Sequence, residues 1–288
     1  MNQTHFRTAT IDGLDVFYRE AGPRDGPAVL LLHGYPTSSH SFRDLIPMLA
    51  DRYRVIAPDY IGFGYSSMPS VTEFSYTFDA LTDVTSKLLK MLDIPEYAVY
   101  MHDYGAPVGL RLLLRQPHAV KAIITQSGNA YAEGLVGEFW DPLIAYGKNP
   151  GPKTEAAARQ GLTLEATRKQ YEYGVPDVSV VSPDAWRHAQ ASIDRPGNDV
   201  IQLSLFRDYK TNLDLYPRAQ ECFRAKKPPL LAVWGRNDPV FGPEGAKAFK
   251  RDIPDAEIHL LDTGHFALET HLEPIADHVR EFLAQAMS

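Results

Sequence analysis

Residues 97–106 read Tyr97-Ala98-Val99-Tyr100-Met101-His102-Asp103-Tyr104-Gly105-Ala106, and their reading decides the fold. An apolar run rich in β-forming residues stops at a polar pair. Gly105 and Ala106 then open an amphipathic run, Val108-Gly109-Leu110-Arg111-Leu112-Leu113-Leu114. The pattern is strand, sharp turn, helix. A turn of this kind lifts one side chain above the carboxyl edge of a sheet, with a helix N-terminus beneath it. Asp103 stands at that tip. An aspartate there could also be a plain helix cap, so the rest of the chain must decide.

Working outward, strands and helices alternate on both sides of the turn. Residues 14–20 alternate as an edge strand would, and residues 28–32 form a continuous aliphatic run typical of a strand buried on both faces. That run ends in His33-Gly34-Tyr35-Pro36, and residues 37–40 offer caps for a helix with Phe42, Leu45, Ile46 and Leu49 on its apolar face. A strand at 53–57 leads into Pro58-Asp59-Tyr60-Ile61-Gly62-Phe63-Gly64. The Gly62-x-Gly64 pair is not a dinucleotide loop, because the third glycine is missing and Pro69 follows where a helix should begin. Helical spacing covers 78–92, and a further strand covers 121–125. The alternation predicts an α/β fold with a mostly parallel sheet.

Between about residues 128 and 216 no apolar strand run appears. Helical patches, aromatics and Pro-Gly turn markers replace it. Strands resume at 229–235 and 257–261, with helices at 244–251 and 272–286. The expected organisation is a core of residues 1–127 and 217–288, carrying a helical cap of residues 128–216 inserted after the sixth strand. Arg224, Lys226 and Lys227 beside Pro228-Pro229 read as a solvated linker.

Composition narrows the function. The chain of 288 residues is 44% hydrophobic and 23% charged, as soluble globular proteins are. A net charge of −7 argues against nucleic acid or an anionic membrane as partner. The lone Cys222 precludes an internal disulfide, and no signal-like or bilayer-length apolar run appears, so a cytoplasmic protein is expected. His271 and His278, seven apart on one helix, fit a surface stripe better than a metal site. Neither metal nor cofactor is expected.

Two more loops follow strand ends. Gly235-Arg236-Asn237-Asp238 places Asp238, and Asp262-Thr263-Gly264-His265-Phe266 places His265, at the edge where open parallel sheets bind ligands. Carboxylate tip, second acid and histidine therefore arise from three separate strand ends, in that order. Ser127, in Gln126-Ser127-Gly128, is the best alternative nucleophile but lacks the turn pattern. A ligand receptor without turnover is the non-enzymatic alternative, and an intact triad argues against it.

With these motifs in hand, the chain resembles α/β-hydrolases of the epoxide hydrolase and haloalkane dehalogenase group over essentially its full length. The resemblance rests on His33-Gly34-Tyr35-Pro36, His102-Asp103-Tyr104-Gly105, Gly235-Arg236-Asn237-Asp238 and Gly264-His265-Phe266. Asp103 replaces the serine of the G-x-S-x-G elbow, and Met101 stands where that elbow has a small residue, which would crowd the turn. The resemblance implies Asp103 as nucleophile and a His265–Asp238 pair that activates water. The backbone N–H groups of Tyr104 and Tyr35 would hold the oxyanion. Gly34 is expected to permit an unusual backbone, and His33 and His102 to be structural partners of these loops.

The group's members differ in how they support the leaving group. Haloalkane dehalogenases resembling this chain place a Trp after the nucleophile and a Trp or Asn nearby, where this chain has Tyr104 and Tyr35. Fluoroacetate dehalogenases place arginines where Tyr104 and Pro107 stand. Epoxide hydrolases use two cap tyrosines. Leu143-Ile144-Ala145-Tyr146-Gly147-Lys148-Asn149-Pro150-Gly151 and Phe206-Arg207-Asp208-Tyr209-Lys210-Thr211-Asn212 resemble their two segments, which makes Tyr146 and Tyr209 the candidate acids among 15 tyrosines. The expected reaction opens epoxides to diols, with a small apolar organic substrate and water as co-substrate. Haloalkane dehalogenation is the alternative.

Overall fold

A computed structural model describes residues 3–287. Its centre is one eight-stranded sheet of β1 (His5–Ile11), β2 (Leu14–Ala21), β3 (Ala28–Leu32), β4 (Arg54–Pro58), β5 (Tyr97–His102), β6 (Val120–Gln126), β7 (Leu230–Gly235) and β8 (Glu257–Leu261). The spatial order is β1-β2-β4-β3-β5-β6-β7-β8. The β1–β2 and β2–β4 pairs are antiparallel, and the remaining pairs are parallel. The mostly parallel sheet expected from the alternation, in the α/β-hydrolase architecture that the resemblance implied, is thus present.

Successive side chains of a strand point to opposite faces, so a strand buried on both sides must be apolar at every position. β3 meets that condition throughout, and β5 meets it up to Met101. Leu30, Leu32, Val99 and Met101 enter one core, and Val29, Leu31, Ala98 and Tyr100 enter the other. The helices that cover these faces are α1 (Leu45–Leu49), α2 (Phe78–Met91), α3 (Gly105–Arg115), α10 (Pro243–Asp252) and α11 (Leu272–Ala286). Between β6 and β7 run α4 (Gly137–Lys148), α5 (Pro152–Arg159), α6 (Leu164–Glu172), α7 (Pro183–Ile193), α8 (Asn198–Asp208) and α9 (Lys210–Lys226).

Several expectations need correction. Residues 14–20 are not the sheet edge, because β1 pairs outside them. Only Ala9 and Ile11 of β1 are buried, which left too thin an apolar signal to read. The expected helix after His33-Gly34 splits into a short turn at Ser39–Phe42, capped by the Ser38 side chain, and the brief α1. Residue 216, the expected end of the insertion, falls inside α9. The basic cluster read as a linker is the last turn of that helix, where Arg224 pairs with Asp252 at 2.7 Å.

The sheet order reverses around β3, whose neighbours are β4 and β5. A crevice opens above the carboxyl ends at such a point. The loops after β3 and β5, which carry Tyr35 and Asp103, lie side by side there.

Candidate active site

Asp103 sits in the left-handed region, at φ +50°. This conformation costs an aspartate roughly 1–2 kcal/mol and marks a backbone held for a purpose. Tight packing around the turn enforces it. A Cβ on Gly105 would lie 2.2 Å from the Leu32 carbonyl oxygen, and one on Gly34 would lie 2.2 Å from the Asp103 Cβ. Gly34 is therefore required by close approach rather than by an unusual backbone. Met101 does not crowd the elbow, because its sulfur lies over Gly109 of α3, where a Cβ would come within 2.4 Å of it.

The Asp103 carboxylate is 5% exposed and accepts backbone hydrogen bonds from Tyr35, at 2.7 Å, and from Tyr104. Burial raises its pKa to about 6, against the downward pull of His265 and those two N–H groups. The His265 Nε2 lies 3.8 Å from Asp103 Oδ2, beyond hydrogen-bond length, and has no hydrogen-bond partner among the described residues. On its other side, His265 Nδ1 meets Asp238 Oδ2 at 3.0 Å. Asp238 is itself oriented by the Val240 and Phe241 N–H groups, which donate to its other oxygen at 2.7 and 3.0 Å. Burial disfavours an imidazolium at His265, but the facing Asp238 and Asp103 outweigh it and the pKa is raised. The structure thus brings together all three side chains expected to act jointly.

The other two histidines of these motifs, His33 and His102, brace the loops, as expected of them. His33 Nε2 accepts the Tyr60 N–H at 3.2 Å, while Nδ1 meets the Gly34 carbonyl at 3.0 Å. The His102 ring packs 4.8 Å from that of His265 and bonds to its backbone. The Gly62-x-Gly64 pair, at φ +90° and +49°, forms a turn that closes on Asp59, whose carboxylate accepts the Ser39 and Tyr65 N–H groups. Ser127 also has a positive φ, of +51°, but it is fully buried and its Oγ has no hydrogen-bond partner among the described residues, so no base activates it.

Above the triad the insertion contributes aromatic groups. Tyr209 packs against Trp140 at 4.3 Å and faces Tyr104 at 6.1 Å. The phenols of Tyr35, Tyr60, Tyr104, Tyr209 and Tyr216 all lie within the field of the Asp103 charge, which together with burial raises their pKa values. Tyr146 is not brought there. It lies one turn beyond Leu143, the last cavity-lining residue of α4, and its phenol meets the charges of Glu155, Arg207 and Arg159. The Tyr35 hydroxyl donates to the Gly161 carbonyl at 2.8 Å, tying the β3 loop to the insertion. Tyr60 and Asn129 were not singled out in the sequence, and Tyr216 counted only among the further tyrosines of the expected cap. The available signal for Tyr216 was its position seven residues after Tyr209, two turns along one helix.

A cavity of about 670 Å³ lies between core and insertion, lined by Tyr35, Phe139, Leu143, Ala158, Phe206 and Asp238 among others. That volume suits a small organic molecule. A second cleft, of about 770 Å³, lies at the opposite, amino edge of the sheet beside Arg54, Glu96 and Lys121, away from the triad. Among the described residues no helix is long and apolar enough to cross a membrane.

Comparison with known proteins identifies the family. A family model described as alpha/beta hydrolase fold matches residues 27–272. An uncharacterized hydrolase of Saccharomyces cerevisiae is 43% identical over 277 residues, which span 95% of each chain. Among solved structures, an epoxide hydrolase from Vigna radiata superposes with a TM-score of 0.75 at 25% identity, covering 98% of both chains. A haloalkane dehalogenase from Bradyrhizobium elkani superposes with a TM-score of 0.77 at 23% identity, covering 100% of this chain and 99% of its own. The chain belongs to the α/β-hydrolase family and is a hydrolase close to the haloalkane dehalogenases and epoxide hydrolases.

Proposed function

We propose that this protein hydrolyses epoxides to vicinal diols through a covalent ester on Asp103. One oxygen of the Asp103 carboxylate attacks a ring carbon as the ring C–O bond breaks. A phenol of the insertion supplies the proton to the released oxygen. His265, held by Asp238, then takes a proton from water as that water attacks the ester carbonyl. The Tyr35 and Tyr104 N–H groups, already on the Asp103 carboxylate, are placed to hold the oxyanion. Collapse returns the His265 proton to the departing product oxygen.

The observation that carries this reading is geometric: the rings of Tyr35, Tyr104 and Tyr209 pack together beside Asp103, with centroids 6.0 and 6.1 Å apart. Dehalogenation, the alternative, calls for N–H donors to a halide. Trp140 Nε1 instead donates to the Val240 carbonyl at 2.8 Å, and Trp234 Nε1 to the Phe241 carbonyl at 2.8 Å. Trp186 lies on α7, flanked by Arg168 and Arg187.

The test is single turnover in ¹⁸O-labelled water with a panel of terminal epoxides and alkyl bromides, read for diol, for free halide and for label. Label should enter the Asp103 carboxyl first, with diol as product. His265→Gln should accumulate the ester, visible as a mass increase, because attack on carbon needs no general base whereas attack by water does. First-turnover label in the diol would overturn the nucleophile assignment. Halide release outpacing diol formation would favour the dehalogenase.

A further inference from the structure

Asp238 does not by itself fix the plane of the His265 imidazole. The 3.0 Å contact to Asp238 Oδ2 holds one ring atom, Nδ1. A single hydrogen bond leaves the ring free to swivel about it, so the aim of Nε2 depends on what packs against the ring. Two rings lie nearest: His102, with centroids 4.8 Å apart, and Phe266, edge-on at 5.0 Å and 85°. His102 and Phe266 also meet each other, at 5.2 Å and 74°. From the core, Gln126 Nε2 donates to the His265 carbonyl at 3.3 Å, and the Tyr100 hydroxyl donates to Gln126 Oε1 at 2.5 Å.

The face of the Phe266 ring is held by the insertion. It stacks on Tyr171 of α6, with centroids 3.7 Å apart and planes 4° from parallel, and both rings are buried. Phe266 belongs to a small apolar cluster whose other buried members, Tyr171, Val181, Ala185, Trp186 and Ala189, all come from the insertion. The backbone is clamped at the same place. A Cβ on Gly264 would lie 1.9 Å from the Tyr173 carbonyl oxygen, and Asn237 Nδ2 donates to the Gly174 carbonyl at 2.9 Å. Tyr171 itself does not line the cavity, although its neighbours Gln170 and Tyr173 do.

We propose that Tyr171 is a positioning residue for water activation: through its stack on Phe266 it fixes the plane of His265 and so the aim of Nε2. This inference rests on the Asp103 ester proposed above, whether an epoxide or an alkyl halide forms it. Attack by Asp103 on carbon needs no base, so it does not depend on this stack. Attack by water does, because His265 Nε2 must take a proton from the water as its oxygen bonds to the ester carbonyl. A tilt that displaces Nε2 by about 1 Å costs on the order of 10²-fold in rate.

The two half-reactions separate this role from a merely structural one. Tyr171→Leu keeps an apolar side chain but removes the stack. In rapid-quench runs with styrene oxide and with 1-bromobutane, alkylation should stay within about twofold of the parent, while decay of the ester, followed by intact mass, slows about 10–10²-fold. Tyr171→Phe restores the flat ring and should restore parent decay. Phe266→Leu removes the same stack from the core side and should give the same split, which also serves should Tyr171→Leu fail to fold. The double Leu variant should decay no more slowly than Phe266→Leu alone, because both changes break one contact. Equal slowing of both half-reactions would overturn the proposal, as would parent-like ester decay in Tyr171→Leu or additive losses in the double variant. A parent protein that neither substrate alkylates would instead refute the ester reading itself.

Discussion

Asp103 concentrates three costs in one residue: a left-handed backbone, a buried charge and a like charge at Asp238 beyond the imidazole. Its pKa of about 6 ties activity and stability to pH in opposite senses. In the proposed reaction the carboxylate is the attacking form, so alkylation should fall as pH drops through about 6, measured by rapid quench from pH 4 to 8. A rate flat down to pH 4 would refute the shift. For stability, a carboxyl raised from 3.8 to about 6 destabilises the folded state above the folded pKa, by ~3 kcal/mol at 1.36 kcal/mol per unit. That cost fades as pH falls towards the unfolded value. Asp103→Asn removes the charge and tolerates a positive φ. It should therefore stabilise the protein at pH 7–8 by an amount of that order and show little gain near pH 4, as read by urea unfolding.

At the scale of elements, the turn between β5 and α3 works because two glycines are needed for different reasons. Gly105 faces backbone, the Leu32 carbonyl, which cannot yield without moving β3. Gly109 faces the far end of the flexible Met101 side chain. Gly105→Ala should cost about 2–3 kcal/mol as an overpacking change. Gly109→Ala should stay within about 1 kcal/mol of the parent, since the helix gain of alanine offsets the clash. Equal losses in urea unfolding would show that Met101 is as rigid as the strand beneath it. The sequence marked Met101 as an obstacle and could not show its solution, because the relief comes from a residue on the next helix.

Across the whole molecule, the insertion is pinned to the core by polar contacts on the loop after β4. Arg195 donates to the Gly64 and Gly62 carbonyls at 3.0 Å each, and Asn198 Nδ2 donates to the Gly62 carbonyl at 3.0 Å. Those carbonyls belong to the same glycine turn that closes on Asp59. Arg195→Ala takes its donors from both carbonyls, leaving Gly62 with Asn198 alone, and should cost about 1–3 kcal/mol locally. Hydrogen exchange should then quicken in α7 and α8 while β3, β5 and β6 keep their protection. Exchange that stays unchanged in α7 and α8, or that rises evenly through the sheet, would refute this local anchoring.

The sequence by itself determined the α/β alternation, the turn at Asp103 and the order Asp103, Asp238, His265. These are local signals: buried parallel strands are rich in apolar residues, and each of the three residues lies within four positions of a strand's carboxyl end. What surrounds them was decided only by tertiary structure. Tyr146 and Tyr209 looked equivalent as tyrosines in helical segments, yet α4 carries one to the charges of α5 and α8 while the start of α9 carries the other to Tyr104. Asn129 and Tyr216 meet across 87 residues, in a slot made by Gly134 and Gly245. A hydrogen bond between distant residues leaves no period or motif in a single sequence. It depends on how helices pack on the sheet, and that packing is set by the sum of many side-chain contacts rather than by any one stretch.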